Sequence, residues 1–118
     1  MIETFPTAET AWFWTCAVLR ARAAGRAGPP GPCRTEDVLR GLDRLYRNRR
    51  LELLHVRVLR RWGWRGHPPG ARPQDGFDRV LWTEALGRLT WVWQDAGVIR
   101  SPTARSTLPT DAAPRQLG

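Results

Sequence analysis

Three Trp-x-Trp pairs run through the chain, Trp12/Trp14, Trp62/Trp64 and Trp91/Trp93, and with Trp82 they account for all 7 tryptophans. Residues two apart on a helix point about 200° away from each other, so one apolar face cannot hold both rings of a pair. A helix carrying such a pair is therefore buried on two sides or shows an indole to solvent. That choice restricts how the chain can pack more than any other pattern in it.

The indoles stand among cations. All 19 basic residues are arginine, set against 11 acids, for a formal net charge of +8. An excess of this size favours polyanionic partners: nucleic acid first, an acidic protein second, an anionic membrane surface third. A GC-rich coding bias explains the absence of lysine at least as simply as selection does, although guanidinium suits phosphate and aromatic partners better than ammonium. At 118 residues the chain has room for one domain, and 42% hydrophobic with 25% charged residues is the balance of a folded protein.

Two cysteines, Cys16 and Cys33, make no disulfide framework and point to a reducing, cytoplasmic setting. The apolar run 11–19 follows Glu3 and Glu9 where a secretory signal carries basic residues. It is also far shorter than the roughly 20 residues of a membrane span, so no membrane association is expected.

Proline and glycine divide the rest into four helical segments. Thr7 caps a first helix over 8–24, which Gly25 ends. Ala8, Trp12, Cys16, Leu19 and Ala23 form one stripe on it, and Ala11, Trp14 and Val18 a second. The linker 25–34, with Gly28-Pro29-Pro30-Gly31-Pro32, excludes helix.

Thr35 caps a second helix over 36–48, whose apolar face is Val38, Leu42, Leu45 and Tyr46, with Arg40, Arg44 and Arg47 opposite. A third helix, 52–62, is closed by Gly63. Its apolar arc is Leu51, Leu54, His55, Val58, Leu59 and Trp62, and Arg50, Arg57, Arg60 and Arg61 cluster on another.

After a loop, Asp75 or Asp78 caps a fourth helix over 76–96, with Gly97 as its stop and Val98 folding back. Leu81, Trp82, Ala85, Leu86, Leu89, Val92, Trp93 and Ala96 make its core face, which leaves Phe77, Val80 and Trp91 outside. From Ser101 the Ser/Thr/Pro/Ala composition predicts a disordered tail over 101–118. The expectation is a small all-α, orthogonal four-helix domain over 1–100 followed by that tail.

Three constellations bear on function. The second and third helices, joined by about four residues, have the outline of a helix-turn-helix whose outward arginines would meet phosphates or guanine edges. The turn has no glycine, and the outward face has few of the amides and hydroxyls that read bases. Arg60-Arg61-Trp62-Gly63-Trp64-Arg65 interleaves cations with indoles as single-strand stacking does, although Trp64 sealing the end of its helix is the simpler role.

The candidate nucleic-acid-binding residues are Arg40, Arg44, Arg47, Arg50, Arg57, Arg60, Arg61, Arg65, Arg72 and Trp64. The aromatic surplus of Trp14 and Val18 on the first helix and Phe77, Val80 and Trp91 on the fourth suggests a protein interface, for a homodimer or a larger partner.

Cys16, Cys33, His55 and His67 lack the close pairs that fix two corners of a zinc tetrahedron, so no metal is expected. Neither nucleophile setting nor phosphate-loop or dinucleotide fingerprint is present, and no enzyme and no cofactor are expected. The sequence thus points to a small basic nucleic-acid-binding module, an accessory or regulatory DNA-binding protein. The alternative is an adaptor or subunit that docks its tryptophans and arginines on an acidic partner.

Overall fold

A computed structural model describes residues 4–100. Four helices form where the pattern predicts them: α1 over Ala8–Ala23, α2 over Thr35–Arg47, α3 over Leu53–Arg65 and α4 over Gly76–Asp95. A short 3-10 turn, Pro73–Asp75, leads into α4. Thr7 caps α1, its hydroxyl accepting the Thr10 N–H at 3.1 Å. At α2 the cap position falls one residue earlier than expected, on Arg34, whose N–H is met by the Asp37 carboxylate at 3.2 Å. The predicted tail, 101–118, lies outside the described residues.

At its C-terminus α4 closes as the sequence suggests, with Gly97 at φ 79 and the Val98 N–H reaching back to the Trp93 carbonyl at 2.8 Å. That turn carries Val98 and Ile99 into the core. There Ile99 pairs with Phe5 in an isolated parallel bridge, the Phe5 N–H donating to the Val98 carbonyl at 3.0 Å and the Arg100 N–H to Phe5 at 2.9 Å. The bridge ties the two ends of the described chain together.

Four indole N–H groups cross-link the helices, and a fifth ties α1 to the linker. Trp12 donates to the Leu59 carbonyl at 2.8 Å, joining α1 to α3, and Trp93 to the Val38 carbonyl at 2.9 Å, joining α4 to α2. Trp62 reaches Asp78 at 2.9 Å and Trp82 reaches Glu9 at 3.0 Å, which ties α3 to α4 and α4 to α1. Trp14 donates to the Pro29 carbonyl at 3.0 Å in the linker. A buried indole brings a large apolar surface but also one donor that has to be paired, and here each pairing fixes the register of two segments.

The register of α3 on α4 can be followed along its length. Arg88 bonds to the Arg50 carbonyl, His55 to Glu84 and Arg61 to Asp78, so rising numbers on α3 meet falling numbers on α4. The two helices are antiparallel, and α3 lies along α4 rather than across it. The small all-α four-helix domain is as expected, and within it α2 and α3 each pack on both α1 and α4. Direct contact between α2 and α3 is sparse among the described residues.

Two further expectations change for packing reasons. The linker 25–34 folds over the second stripe of α1: Val18 is buried against Gly28, and Trp14 is half-buried against Gly31. These two residues are therefore packed against the linker, and both line a surface cavity of about 520 Å³ there. Gly63 does not end α3. It sits buried inside the helix, where an added Cβ would come within 2.5 Å of Trp12 Nε1 and 2.6 Å of Cys16 Sγ, so α1 and α3 approach through it. The helix ends at Gly66 instead, with φ 86, and Trp64 is helical rather than part of the loop.

Candidate nucleic-acid interface

With five indoles tied internally, Trp64 and Trp91 remain. They are 48% and 63% exposed, and neither N–H has a protein acceptor among the described residues. Trp64 stands at the end of α3 and Trp91 near the end of α4. Because the helices are antiparallel, these ends are opposite, about 23 Å apart along the axis at 1.5 Å per residue.

Trp64 borders a groove of about 760 Å³ between α1 and α3, with Arg57, Arg60 and Arg61 on its rim. Its floor is apolar, made of Trp12, Cys16, Leu19 and Val56, with Leu53 at the edge. Arg20 from α1 donates to the Trp64 carbonyl, and its guanidinium lies 6.0 Å from the indole centroid. Of the three rim arginines, Arg61 is tied to Asp78 at 3.0 Å, while Arg57 and Arg60 have no ion-pair partner among the described residues.

Trp91 borders a pocket of about 540 Å³ between α2 and α4, completed by Arg44, Leu45, Asn48, Arg50 and Arg88. No carboxylate lines either cavity. Arg44, Arg50 and Arg88 all lack ion-pair partners among the described residues. The pocket is held in shape by its own backbone. Arg49 adopts φ 62, the Arg50 N–H returns to the Leu45 carbonyl at 2.8 Å, and Arg88 Nη1 donates to the Arg50 carbonyl at 2.9 Å.

An exposed line along α3 links the two cavities. Leu54, Arg57 and Arg61 follow one another at spacings of three and four, with Arg50 ahead of them in the turn and Trp64 beyond. The structure thus brings together Arg57, Arg60, Arg61 and Trp64 at one end, and Arg44 with Arg50 at the other. Arg88 was missed by the sequence reading. Its spacing of three from Trp91 was the available signal.

Other candidates are occupied elsewhere. Arg40 pairs with Asp37 at 3.3 Å, Arg47 with Asp43 at 3.0 Å and Arg72 with the buried Asp75 at 3.3 Å. Arg65 lies over the Trp62 ring, 4.6 Å from its centroid. These four contribute to local structure and do not join either cluster. Phe77 and Val80 are 65% and 55% exposed and share one arc of α4 with Trp91.

The metal candidates are dispersed. Among the described residues no group of three or more His, Cys, Asp or Glu side chains converges. Burial pushes the Cys16 thiol up to about 11, with Arg20 opposing the shift, and Cys33 is raised by burial and by the charge of Asp37. His55 is buried. Its Nδ1 accepts the Glu52 N–H at 3.0 Å, which leaves the proton on Nε2 to donate to Glu84 at 3.0 Å. His67 sets its ring edge-on to Trp62, 5.5 Å between centroids.

No helix among the described residues is long and apolar enough to cross a membrane. No protein-family model, curated protein or solved structure matches this chain.

Proposed function

We propose that this is a nucleic-acid-binding module, an accessory or regulatory factor that holds DNA in which bases are unpaired. One observation carries the reading: the two exposed indoles each stand beside three arginines in a cavity without a carboxylate. Guanidinium groups supply phosphate contacts and an exposed ring supplies a stacking platform, the combination that single-strand binders use. The sparse contact between α2 and α3 argues against major-groove reading by a paired helix-turn-helix. A reducing, cytoplasmic setting suits two free thiols.

The test is fluorescence anisotropy with a labelled single-stranded 12-mer at ~50 mM salt. Binding is expected to weaken steeply with salt, and Trp64→Ala to weaken it by about 1–3 kcal/mol, the value of one stacked base. Arg57→Ala and Arg60→Ala each lower the salt slope by about 0.7. Absence of binding at ~50 mM salt removes the proposal.

The outward arc of Phe77, Val80 and Trp91 favours a second reading, an adaptor that meets a protein partner through α4. Apolar contact of that kind persists at high salt, where phosphate contact does not. Light scattering that finds only monomer at every salt concentration removes its homodimer form.

A further inference from the structure

We infer that the pocket between α2 and α4 takes the terminal nucleotide of a strand and recognises a phosphate monoester on it. The inference rests on the nucleic-acid reading above and adds the ligand class of one of its two cavities.

Arg44, Arg50 and Arg88 line this one pocket with no acid among its lining residues, and Arg88 Nη1 donates to the Arg50 carbonyl at 2.9 Å. Like charges brought together without a counterion repel, and the arrangement is relieved when an anion enters. A backbone phosphodiester brings one negative charge. A terminal monoester brings about 1.5 to 2 at neutral pH, together with three strong acceptor oxygens, and so matches a triple guanidinium better. Arginine forks meet such oxygens two at a time.

The pocket is also of limited size. At about 540 Å³ it is in the range of a single small-ligand site rather than a channel. Leu45 and the Asn48 turn close the α2 side, and the Trp91 ring, its N–H without a protein acceptor among the described residues, is the one aromatic surface at the rim. A base stacked on Trp91 leaves its phosphate to the arginines.

The groove beside Trp64 shares the exposed indole and the three arginines but differs in its charge balance and its floor. Arg61 there is already neutralised by Asp78, and the floor is apolar over Trp12, Cys16, Leu19 and Val56. It fits an internal base and its diester. The two cavities divide a strand between an end and a body, with Arg57 on the path between them.

The same chemistry is presented by a free nucleoside monophosphate, so the experiment uses both sources. Anisotropy titrations compare one single-stranded 12-mer with a phosphate at its 5′ end, at its 3′ end, or at neither. Adenosine monophosphate, adenosine and inorganic phosphate serve as competitors or direct ligands by tryptophan quenching. The full chain and the double variant R44A/R50A are measured, with far-UV circular dichroism to confirm that the variant folds, and Trp91→Ala provides a second, independent change on the surface.

At least one phosphorylated strand should bind tenfold or more tightly than the unphosphorylated one, and the double variant should abolish that ratio. Trp91→Ala should weaken the nucleotide while leaving inorganic phosphate unchanged. Equal binding of all three strands overturns the inference and leaves the nucleic-acid reading standing. Binding of the monophosphate but of no strand, lost in R44A/R50A, keeps the pocket chemistry and assigns it to a free nucleotide, while the nucleic-acid reading falls. No binding of any ligand overturns both. Inorganic phosphate held as tightly as the nucleotide overturns the stacking role of Trp91.

Discussion

Trp93 and Trp91 stand two residues apart on α4 and share little beyond the residue type. Trp93 is fully buried, presses on Gly41 of α2 and spends its N–H on the Val38 carbonyl. Trp91 is mostly in solvent, with no acceptor among the described residues and arginines for neighbours. The pair Trp62/Trp64 divides in the same way, one ring tied to Asp78 and the other exposed at a rim. The third pair breaks the pattern only because the linker folds back over Trp14. A two-residue spacing thus sets one indole to hold helices together and the other to face outward, and the interior and the rim can be perturbed separately.

The sharpest way to break this comparison is to truncate both members of one pair. Trp93→Ala is expected to cost about 3–5 kcal/mol in urea unfolding, because it leaves a cavity in the core and removes the tie to the Val38 carbonyl. Trp91→Ala should stay within about 0.5 kcal/mol, as for surface changes generally. A Trp91→Ala loss comparable to that of Trp93→Ala would mean the outer ring is structural, and the case for a stacking platform would go with it.

The thiols extend the contrast to titration. Cys16 is buried beside Trp12 and Gly63, and burial, which disfavours the thiolate, pushes its thiol up from the ordinary 9.0 to about 11. Between these two pH values the unfolded chain has released the proton and the folded chain still holds it. Stability is therefore fully present below about 9 and falls as pH rises towards 11, by up to about 1.4 kcal/mol for each unit. Cys33, also raised, adds in the same direction. Urea melts from pH 8 to 11 should show this decline and a shallower one in Cys16→Ala. Equal slopes in the two proteins would show that the buried thiol is not its source.

Much of the interior was legible in the sequence, because it rests on short-range periodicity. The core face of α4 is buried from Leu81 to Trp93 as expected, whereas Ala96, expected on the same face, is exposed past the end of the helix, and Phe77, Val80 and Trp91 are outside. On α3, His55, Val58, Leu59 and Trp62 are buried, but Leu54, expected on their arc, is half exposed, as is Tyr46 on α2. Each lies at the edge of its apolar stripe, where neighbouring helices decide whether anything covers it.

The rim was less legible because it depends on contacts far apart in the chain. Nothing local says that Asp78 takes both Arg61 and Trp62, that the linker lies on Trp14, or that α2 and α3 each pack on both α1 and α4. Gly63 misled for a related reason. A glycine followed by a polar loop reads as a helix stop, whereas its missing Cβ serves the approach of Trp12 and Cys16.

The smallest expected effect concerns the turn that shapes the Trp91 pocket. Arg49 is the one non-glycine with positive φ among the described residues, at 62°, where a side chain meets its own backbone. Arg49→Gly removes that conflict, although it also gives the unfolded chain more freedom, and the balance should be a gain of about 1 kcal/mol or less. The pocket should survive, since its closure uses backbone groups: the Arg50 N–H on Leu45 and the Arg50 carbonyl under Arg88. Chemical denaturation beside strand binding measures both halves. A more stable protein with unchanged affinity separates turn strain from ligand contact. A less stable one would mean that the Arg49 side chain, not the glycine-like backbone, holds the turn, and that the rim is fixed by side chains as firmly as the interior is by its indoles.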